Sequence, residues 1–337
     1  MSEARTSAAN LPLPDPLQDV DPDVRRFVAM VNADYARFTG GRQLDVAGMR
    51  AVAEQVRAPW RRGGPVMQRT TEHLAQTEAG VVRLRVYEPA VEERCTPAFV
   101  YMHGGGWTLF SLDTHDRVMR EYAARAGVKV VGVDYALSPE ARYPVALNQV
   151  VGVVHWLHAQ GASLGIDASR IALGGDSAGG NLAICASIAL RDAGQAGLVQ
   201  GLLLIYPAFD RHCSPDALHR FGGPGAVLTA EEVDYFWDNY TGGADLRNDP
   251  LAMPLRARLE GLPPTCLTIP ACDVLTEQSH RMAERLRAAG VPVAFHVYPG
   301  ATHSFIEAMS IAPVADRAID DGARWLRETL RAGTAAR

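Results

Sequence analysis

The chain has 337 residues, 47% hydrophobic and 21% charged, with a net charge of −5. That length holds one large α/β domain with extra segments, or two modest domains. With no lysine-rich tract, the charge balance argues against nucleic acid or an anionic membrane as the partner.

The opening stretch "MSEARTSAANLPLPDPLQD" lacks the apolar core of a secretory signal and reads as a flexible lead-in. Residues 21–38 place Val24, Phe27, Val28, Val31, Tyr35 and Phe38 at helical spacing behind aspartates suited to a cap. Residues 44–60 read as a second helix ending near Pro59. Neither helix has a strand beside it in sequence, so the pair needs another surface to cover its apolar face. From Val81 the pattern changes. "VVRLRVYEP" alternates as a half-exposed strand does. "AFVYMHG", "VKVVGVDY", "RIALGGD", "GLLLIYP", "TCLTIPACD" and "VAFHVYPG" follow, mostly continuous apolar runs typical of parallel strands buried on both faces. Helical patterns lie at 144–160, 178–191, 276–289 and 313–330. This alternation predicts a doubly wound α/β fold with a mostly parallel central sheet flanked by helices. Between 207 and 264 the rhythm breaks. "LTAEEVDYFWDNY" there reads as a Thr229-capped aromatic helix, in an insertion at a strand's carboxyl end, where such sheets bind ligands.

No apolar run approaches the roughly 18 residues of a membrane span. The five cysteines, Cys95, Cys185, Cys213, Cys266 and Cys272, are odd in number and form no C-x-x-C pair. They indicate neither a disulfide framework nor a zinc site, so a cytoplasmic home is expected. Cys185 is expected to be a small core residue.

"LGGDSAGGN" (173–181) packs four glycines around Ser177 directly after a strand. A phosphate-binding loop would need lysine after Gly179, where Gly180 and Asn181 stand. A dinucleotide turn would need glycine at Ser177. The pattern that fits is G-x-S-x-G between strand and helix, a nucleophile elbow that exposes a serine hydroxyl at a helix N-terminus. "YMHGGGWTLF" (101–110) strengthens this reading. Three glycines after a strand let backbone N–H groups point into a cavity, where acyl transfer needs donors for a developing oxyanion. Ala178, after the serine, offers another. A serine nucleophile also requires a base and an orienting acid. Asp273 in "ACDVLTE" and His303 in "YPGATHSF" both follow strand ends, in the chain order this elbow uses. Glu277 is an alternative acid one helical turn on. His296 lies in a strand, His280 in a helix, and His212 and His219 in the insertion, while His103 is read as an anchor of its own loop. His155 and His158 share a helix face with no third ligand.

Taken together, "HGGGW", "GDSAGGN", "DYALSPE", "ACDVL" and "YPGATHSF" resemble the bacterial hormone-sensitive-lipase-like group of α/β-hydrolases, and are similar to its acetyl-esterase branch. The resemblance runs from about residue 75 to the C-terminus. It implies Ser177 as nucleophile, His303 as base, Asp273 as its partner, and the N–H groups of Gly105, Gly106 and Ala178 as oxyanion hole. It also implies short acyl esters as substrates, no metal or cofactor, and a homodimer in several members. The departures are Ala136 and Ser138 in "DYALSPE", Asn148–Gln149 in place of an acidic pair, and Val274 in "DVL".

The expected protein is a serine carboxylesterase acting on acetyl to hexanoyl esters through an acyl-enzyme. Amidase, lactonase and drug-ester deacylase activities use the same machinery, and a non-catalytic small-molecule receptor is the rival from another class. Residues 1–70 and an insertion at about 208–250 are expected to form a helical lid over a catalytic domain at 71–337. Trp107, Phe110, Phe236 and Trp237 are expected to bind substrate, with Phe221, Tyr235 and Tyr240 as further candidate walls. "VAFHVYPG" is a candidate pairing edge.

Overall fold

The computed structural model describes residues 14–332 apart from 92 and 94; the expected lead-in at 1–13 lies outside the described residues. The chain begins with α1 (Pro22–Thr39) and α2 (Val46–Arg57). Asp21 caps α1, its carboxylate accepting from the N–H groups of Asp23 and Val24, and Gly40 ends it at φ 60°. Then come β1 (Arg69–Thr77), β2 (Gly80–Glu88), β3 (Thr96–Met102), α3 (Asp116–Ala126), β4 (Lys129–Asp134), α4 (Val145–Gln160) and β5 (Ile166–Asp176). The remainder is α5 (Ala178–Asp192), β6 (Gly201–Ile205), α6 (Pro215–Phe221), α7 (Ala230–Thr241), β7 (Thr265–Cys272), α8 (Thr276–Ala288), β8 (Val293–Thr302) and α9 (Pro313–Ala332).

The strands form one eight-stranded sheet in the order β1-β2-β4-β3-β5-β6-β7-β8. β2 runs antiparallel to both β1 and β4, and the pairs from β4 to β8 are parallel. Every residue of β3 and β6 is buried. Alternate side chains serve two cores: Val100, Leu173 and Leu204 pack with α4, α5 and α8, while Phe99, Tyr101 and Leu203 pack with α3 and α9. The second core also takes Phe27 and Val56, which is how the N-terminal helices cover their apolar faces.

β1, α3 and α6 are additions to the elements the sequence pattern predicts. In β1 the apolar Leu74 is 62% exposed while Ala75 is fully buried, so hydrophobicity there does not track burial. β1 and β8 are the two sheet edges. None of the helices among the described residues is long and apolar enough to cross a membrane.

Candidate active site

β5 runs directly into α5, and Ser177 sits at the junction with φ 53° and ψ −118°. That left-handed φ is strained for a non-glycine residue and marks a tight turn. The turn is close because its flanking glycines leave room. A Cβ on Gly175 would lie 2.0 Å from the Met102 carbonyl oxygen, and one on Gly179 only 1.9 Å from it. Ser177 N–H donates to the Ile205 carbonyl at 2.8 Å, fixing the turn to β6.

Asp273 follows β7, and His303 follows β8. Parallel register brings both to the carboxyl edge beside Ser177. His303 Nε2 lies 2.9 Å from Ser177 Oγ, and His303 Nδ1 lies 2.8 Å from Asp273 Oδ2. The other Asp273 oxygen accepts from Leu275 N–H at 3.2 Å. Asp273 is 2% exposed, against 9% for Ser177 and 7% for His303, so the carboxylate is the most shielded of the three. A hydroxyl, imidazole and carboxylate joined in this order can move a proton off the hydroxyl and stabilise the resulting imidazolium. Glu277 stands in the first turn of α8, and Asp273 is the carboxylate bonded to His303.

The glycine loop after β3 is held by the residue before the serine. Asp176 Oδ1 accepts from Gly104 N–H at 2.9 Å and from the Tyr101 hydroxyl at 2.6 Å. Asp176 Oδ2 lies 3.4 Å from His115 Nε2. Burial works against ionisation of Asp176, but His115 and Tyr101 overcome it and hold the carboxyl at about 2. Burial also works against the His115 cation, and Asp176 outweighs it, so that imidazole titrates above its usual value. His103 is the opposite case. Burial, then the charge of His115, lowers it to about 4. Its Nδ1 lies 2.7 Å from the Gly104 carbonyl, in keeping with an anchor for its own loop.

With Gly104 N–H used by Asp176, the N–H groups of Gly105, Gly106 and Ala178 have no acceptor among the described residues. Gly105 and Gly106 adopt φ 105° and 58°, conformations that suit glycine. These groups and Ser177 line one cavity of about 500 Å³.

Trp107, Phe110, Phe236 and Trp237 also line it. Trp107 is stacked on Tyr240 at 4.2 Å and lies 4.7 Å from Trp237, so this wall is braced from behind. The other candidate walls are corrected. Tyr240 is fully buried behind Trp107, Tyr235 is 43% exposed, and Phe221 faces a smaller cavity beside Asp273. On α7, residues 233, 236, 237 and 240 share one face, and Tyr235 falls off it.

The departures from the family wording have local accounts. Gln149 accepts from Ala136 N–H at 2.7 Å, so an amide oxygen fills the acceptor position. Ser138 hydroxyl donates to the Ala141 carbonyl, and Val274 is buried. His155 and His158 bond separately to Gln195 and the Leu198 carbonyl.

Sequence reasoning missed two buried clamps. Gln278 of α8 accepts from the N–H groups of Phe209 and Asp210 and donates to the Asp210 carbonyl. Asn181 donates to the carbonyls of Ala208 and Ala252. Together they fasten the insertion to the helices behind the serine. A buried amide on an otherwise apolar helix face is the signal that could have found them.

A family model described as the alpha/beta hydrolase fold matches residues 99–307. An acetyl esterase of Salmonella paratyphi B is 33% identical over 276 residues, covering 81% of this chain and 84% of that protein. A hyperthermophilic esterase from the archaeon Pyrobaculum calidifontis superposes with a TM-score of 0.86 at 31% identity, covering 92% of this chain and 99% of that one. A thermostable esterase from Pseudomonas putida gives 0.84 at 30% identity, covering 93% and 98%. With its sheet order, its elbow and these likenesses in agreement, the chain belongs to the α/β hydrolase fold family, in the hormone-sensitive-lipase-like group that its motifs resemble.

Proposed function

We propose that this carboxylic ester hydrolase works through Ser177, His303 and Asp273 by way of a covalent acyl-enzyme. The observation that carries the reading is the unbroken hydrogen-bonded chain from Ser177 Oγ through His303 to Asp273, opening on the cavity. Ser177 Oγ bonds to the ester carbonyl carbon as its proton passes to His303 Nε2. The carbonyl oxygen, now negative, accepts from the N–H groups of Gly105, Gly106 and Ala178 at the start of α5. Collapse of the tetrahedral species breaks the C–O bond, and the alcohol leaves with the proton from His303. Water, deprotonated by the same imidazole, then releases the acid. Asp273 holds the imidazole with Nδ1 protonated and balances its charge.

An organophosphonate p-nitrophenyl ester tests this. One adduct is expected, mapped by peptide mass spectrometry to Ser177, and an adduct on another residue overturns the assignment.

Substrates are short acyl esters, acetyl to hexanoyl. The support is the braced wall of Trp107 and Trp237, each no more than 2% exposed and unable to swing aside without breaking its packing. Each added CH₂ contributes about 0.8 kcal/mol while room lasts. Across p-nitrophenyl esters, kcat/KM is expected to climb from acetate and then drop steeply beyond hexanoate. A flat profile reaching to decanoate would remove the short-pocket reading. Lactones and anilides in the same panel separate lactonase and amidase activity from ester hydrolysis.

Residues 1–70 and the 208–250 insertion act together as a lid on the 71–337 catalytic domain. Asn32 of α1 donates to the Gly225 carbonyl at 3.0 Å, and both segments line the cavity. The five cysteines are all unpaired thiols, which suits a reducing cytoplasm.

A further inference from the structure

The cavity at Ser177 is not apolar throughout. Arg57, the last residue of α2, lines it although only 3% of the residue is exposed. Its Nε stands 3.2 Å from a carboxylate oxygen of Glu307, also 3% exposed and four residues beyond His303. The two charges are close but poorly aligned. Nε and Nη1 of Arg57 and both oxygens of Glu307 are buried without a hydrogen-bond partner. The guanidinium carbon lies 4.9 Å from the Phe110 ring centroid, and Phe110 lines the same cavity.

Packing alone is a weak reason for this arrangement. A buried ion pair is often no more stabilising than apolar residues of the same volume, and this one lacks the alignment that makes such pairs favourable. Two other donors on the α1 wall are already engaged. Asn32 donates to the Gly225 carbonyl, and the Thr39 hydroxyl donates to the Ala36 carbonyl. Arg57 Nη2 and the Tyr35 hydroxyl, by contrast, donate no hydrogen bond among the described residues, and both residues line the cavity. Burial raises the Tyr35 hydroxyl above its ordinary range, so it stays protonated and remains a donor. The wall supplied by α1 and α2 therefore presents two unpartnered donors, with the Asn32 amide oxygen and, from α7, the Glu232 carboxylate as acceptors on the same cavity.

We propose that Arg57, aided by Tyr35, is a specificity-determining residue that donates to a carbonyl-type oxygen carried on the substrate away from the scissile ester. The inference rests on the esterase reading and deepens it: the preferred substrates are oxygenated esters, bearing a ketone or carboxylate, rather than plain alkyl esters. Glu307 stands beside the guanidinium as its counter-charge, although burial pushes its carboxyl above the usual carboxylate range against the pull of Arg57. A neutral ketone therefore completes the site without leaving a net charge, whereas a carboxylate would add one. The Phe110 ring packs against the guanidinium, and Nη2 is the nitrogen of that group that is not fully enclosed.

The test compares kcat/KM on 4-nitrophenyl oxoalkanoates, with the ketone at C4, C5 or C6, against unsubstituted esters of equal length. The 4-nitrophenyl monoester of adipic acid supplies the carboxylate arm. Acetates of hydroxyketones against acetates of alkanols sample the alcohol side. At least one oxygenated ester is expected to exceed its alkyl counterpart by about tenfold, the scale of a hydrogen bond to a charged donor. A win for the ketones marks a neutral substrate, and a win for the adipate monoester marks an acidic one. In Arg57→Met/Glu307→Leu, which removes both charges together, the preference is expected to fall to parity. Arg57→Lys, which keeps the charge but loses the planar donor edge, should lower it several-fold and serves if the double variant does not fold. Equal turnover of oxygenated and alkyl esters by the wild type overturns the inference and leaves the esterase reading standing. A preference that persists in the double variant, or is unchanged in Arg57→Lys, also overturns it. Failure to hydrolyse any ester, with no adduct on Ser177, removes both.

Discussion

Ser177→Ala is expected to fold normally and to lose about 10⁶ in kcat, the scale on which serine hydrolases lose their nucleophile. Asp273→Asn should follow with a loss of about 10³–10⁴, because an amide turned toward Nδ1 stabilises the wrong imidazole tautomer. The geometry makes the second expectation specific. Asp273 Oδ2 is 2.8 Å from His303 Nδ1, while its other oxygen is tied to Leu275 N–H, so the carboxylate cannot rotate away without giving up one bond. Glu277→Gln, one turn into α8, should change kcat less than about threefold, within the range of a surface substitution. Because the three side chains act as a unit, Ser177→Ala/Asp273→Asn should be no slower than Ser177→Ala alone. Hydrolysis of p-nitrophenyl butyrate, with thermal unfolding as the control for folding, reads all four variants. A Glu277→Gln loss exceeding that of Asp273→Asn would move the acid to α8, and near-normal activity in Ser177→Ala would end the covalent mechanism.

The parallel strands were legible because both faces of the sheet are covered, so burial writes itself as unbroken apolar runs. β3 is the clearest case, with all seven residues buried. β1 hides for the converse reason. It is an antiparallel edge whose inward residue is Ala75 and whose largest apolar side chain, Leu74, faces out. α3 was present in the pattern, with Val118, Met119, Tyr122, Ala123 and Ala126 on one face. Its arginines, Arg117, Arg120 and Arg125, dilute that stripe, and they are engaged in ion pairs with Glu121, Asp116 and Asp316.

At the site, the readable residues are those whose chemistry needs a local backbone device: a strained turn for Ser177, a glycine run for the donors, a strand end for Asp273 and His303. Side chains that matter through a distant partner leave no such mark. Arg57 and Glu307 meet only because α2 packs beside the segment after β8, and nothing in either stretch announces the other. Asp176 is intermediate. It belongs to the elbow motif, yet its hold on Gly104, Tyr101 and His115 emerges only when β3 and β5 lie side by side.

Gly105→Ala is expected to cost about 10²–10³ in kcat, the scale of losing one oxyanion donor, with a much smaller change in KM. A Cβ there would lie 2.3 Å from the Leu109 carbonyl oxygen and 2.7 Å from a Phe110 ring carbon. The first neighbour is backbone, held by the turn that Gly105 itself nucleates, since its carbonyl accepts from the N–H groups of Thr108 and Leu109. The loop must therefore shift, and at φ 105° the new side chain is strained wherever it goes. Gly106→Ala is a different experiment. Its Cβ would meet the Phe236 ring, a half-buried side chain that can rotate, so apart from the backbone strain of a side chain at φ 58° the loop can stay while the pocket wall moves. Gly106→Ala should accordingly alter chain-length preference as well as rate, and Gly106→Ala/Phe236→Ala should recover part of the rate. The same double-variant logic gives no recovery for Gly105→Ala, whose obstacle is main chain. Both variants are compared by kcat and KM on p-nitrophenyl acetate and hexanoate. A Gly105→Ala enzyme that keeps its kcat would reduce the glycine run to a structural turn, and a Gly106→Ala loss untouched by Phe236→Ala would place the damage in the donors rather than in the wall.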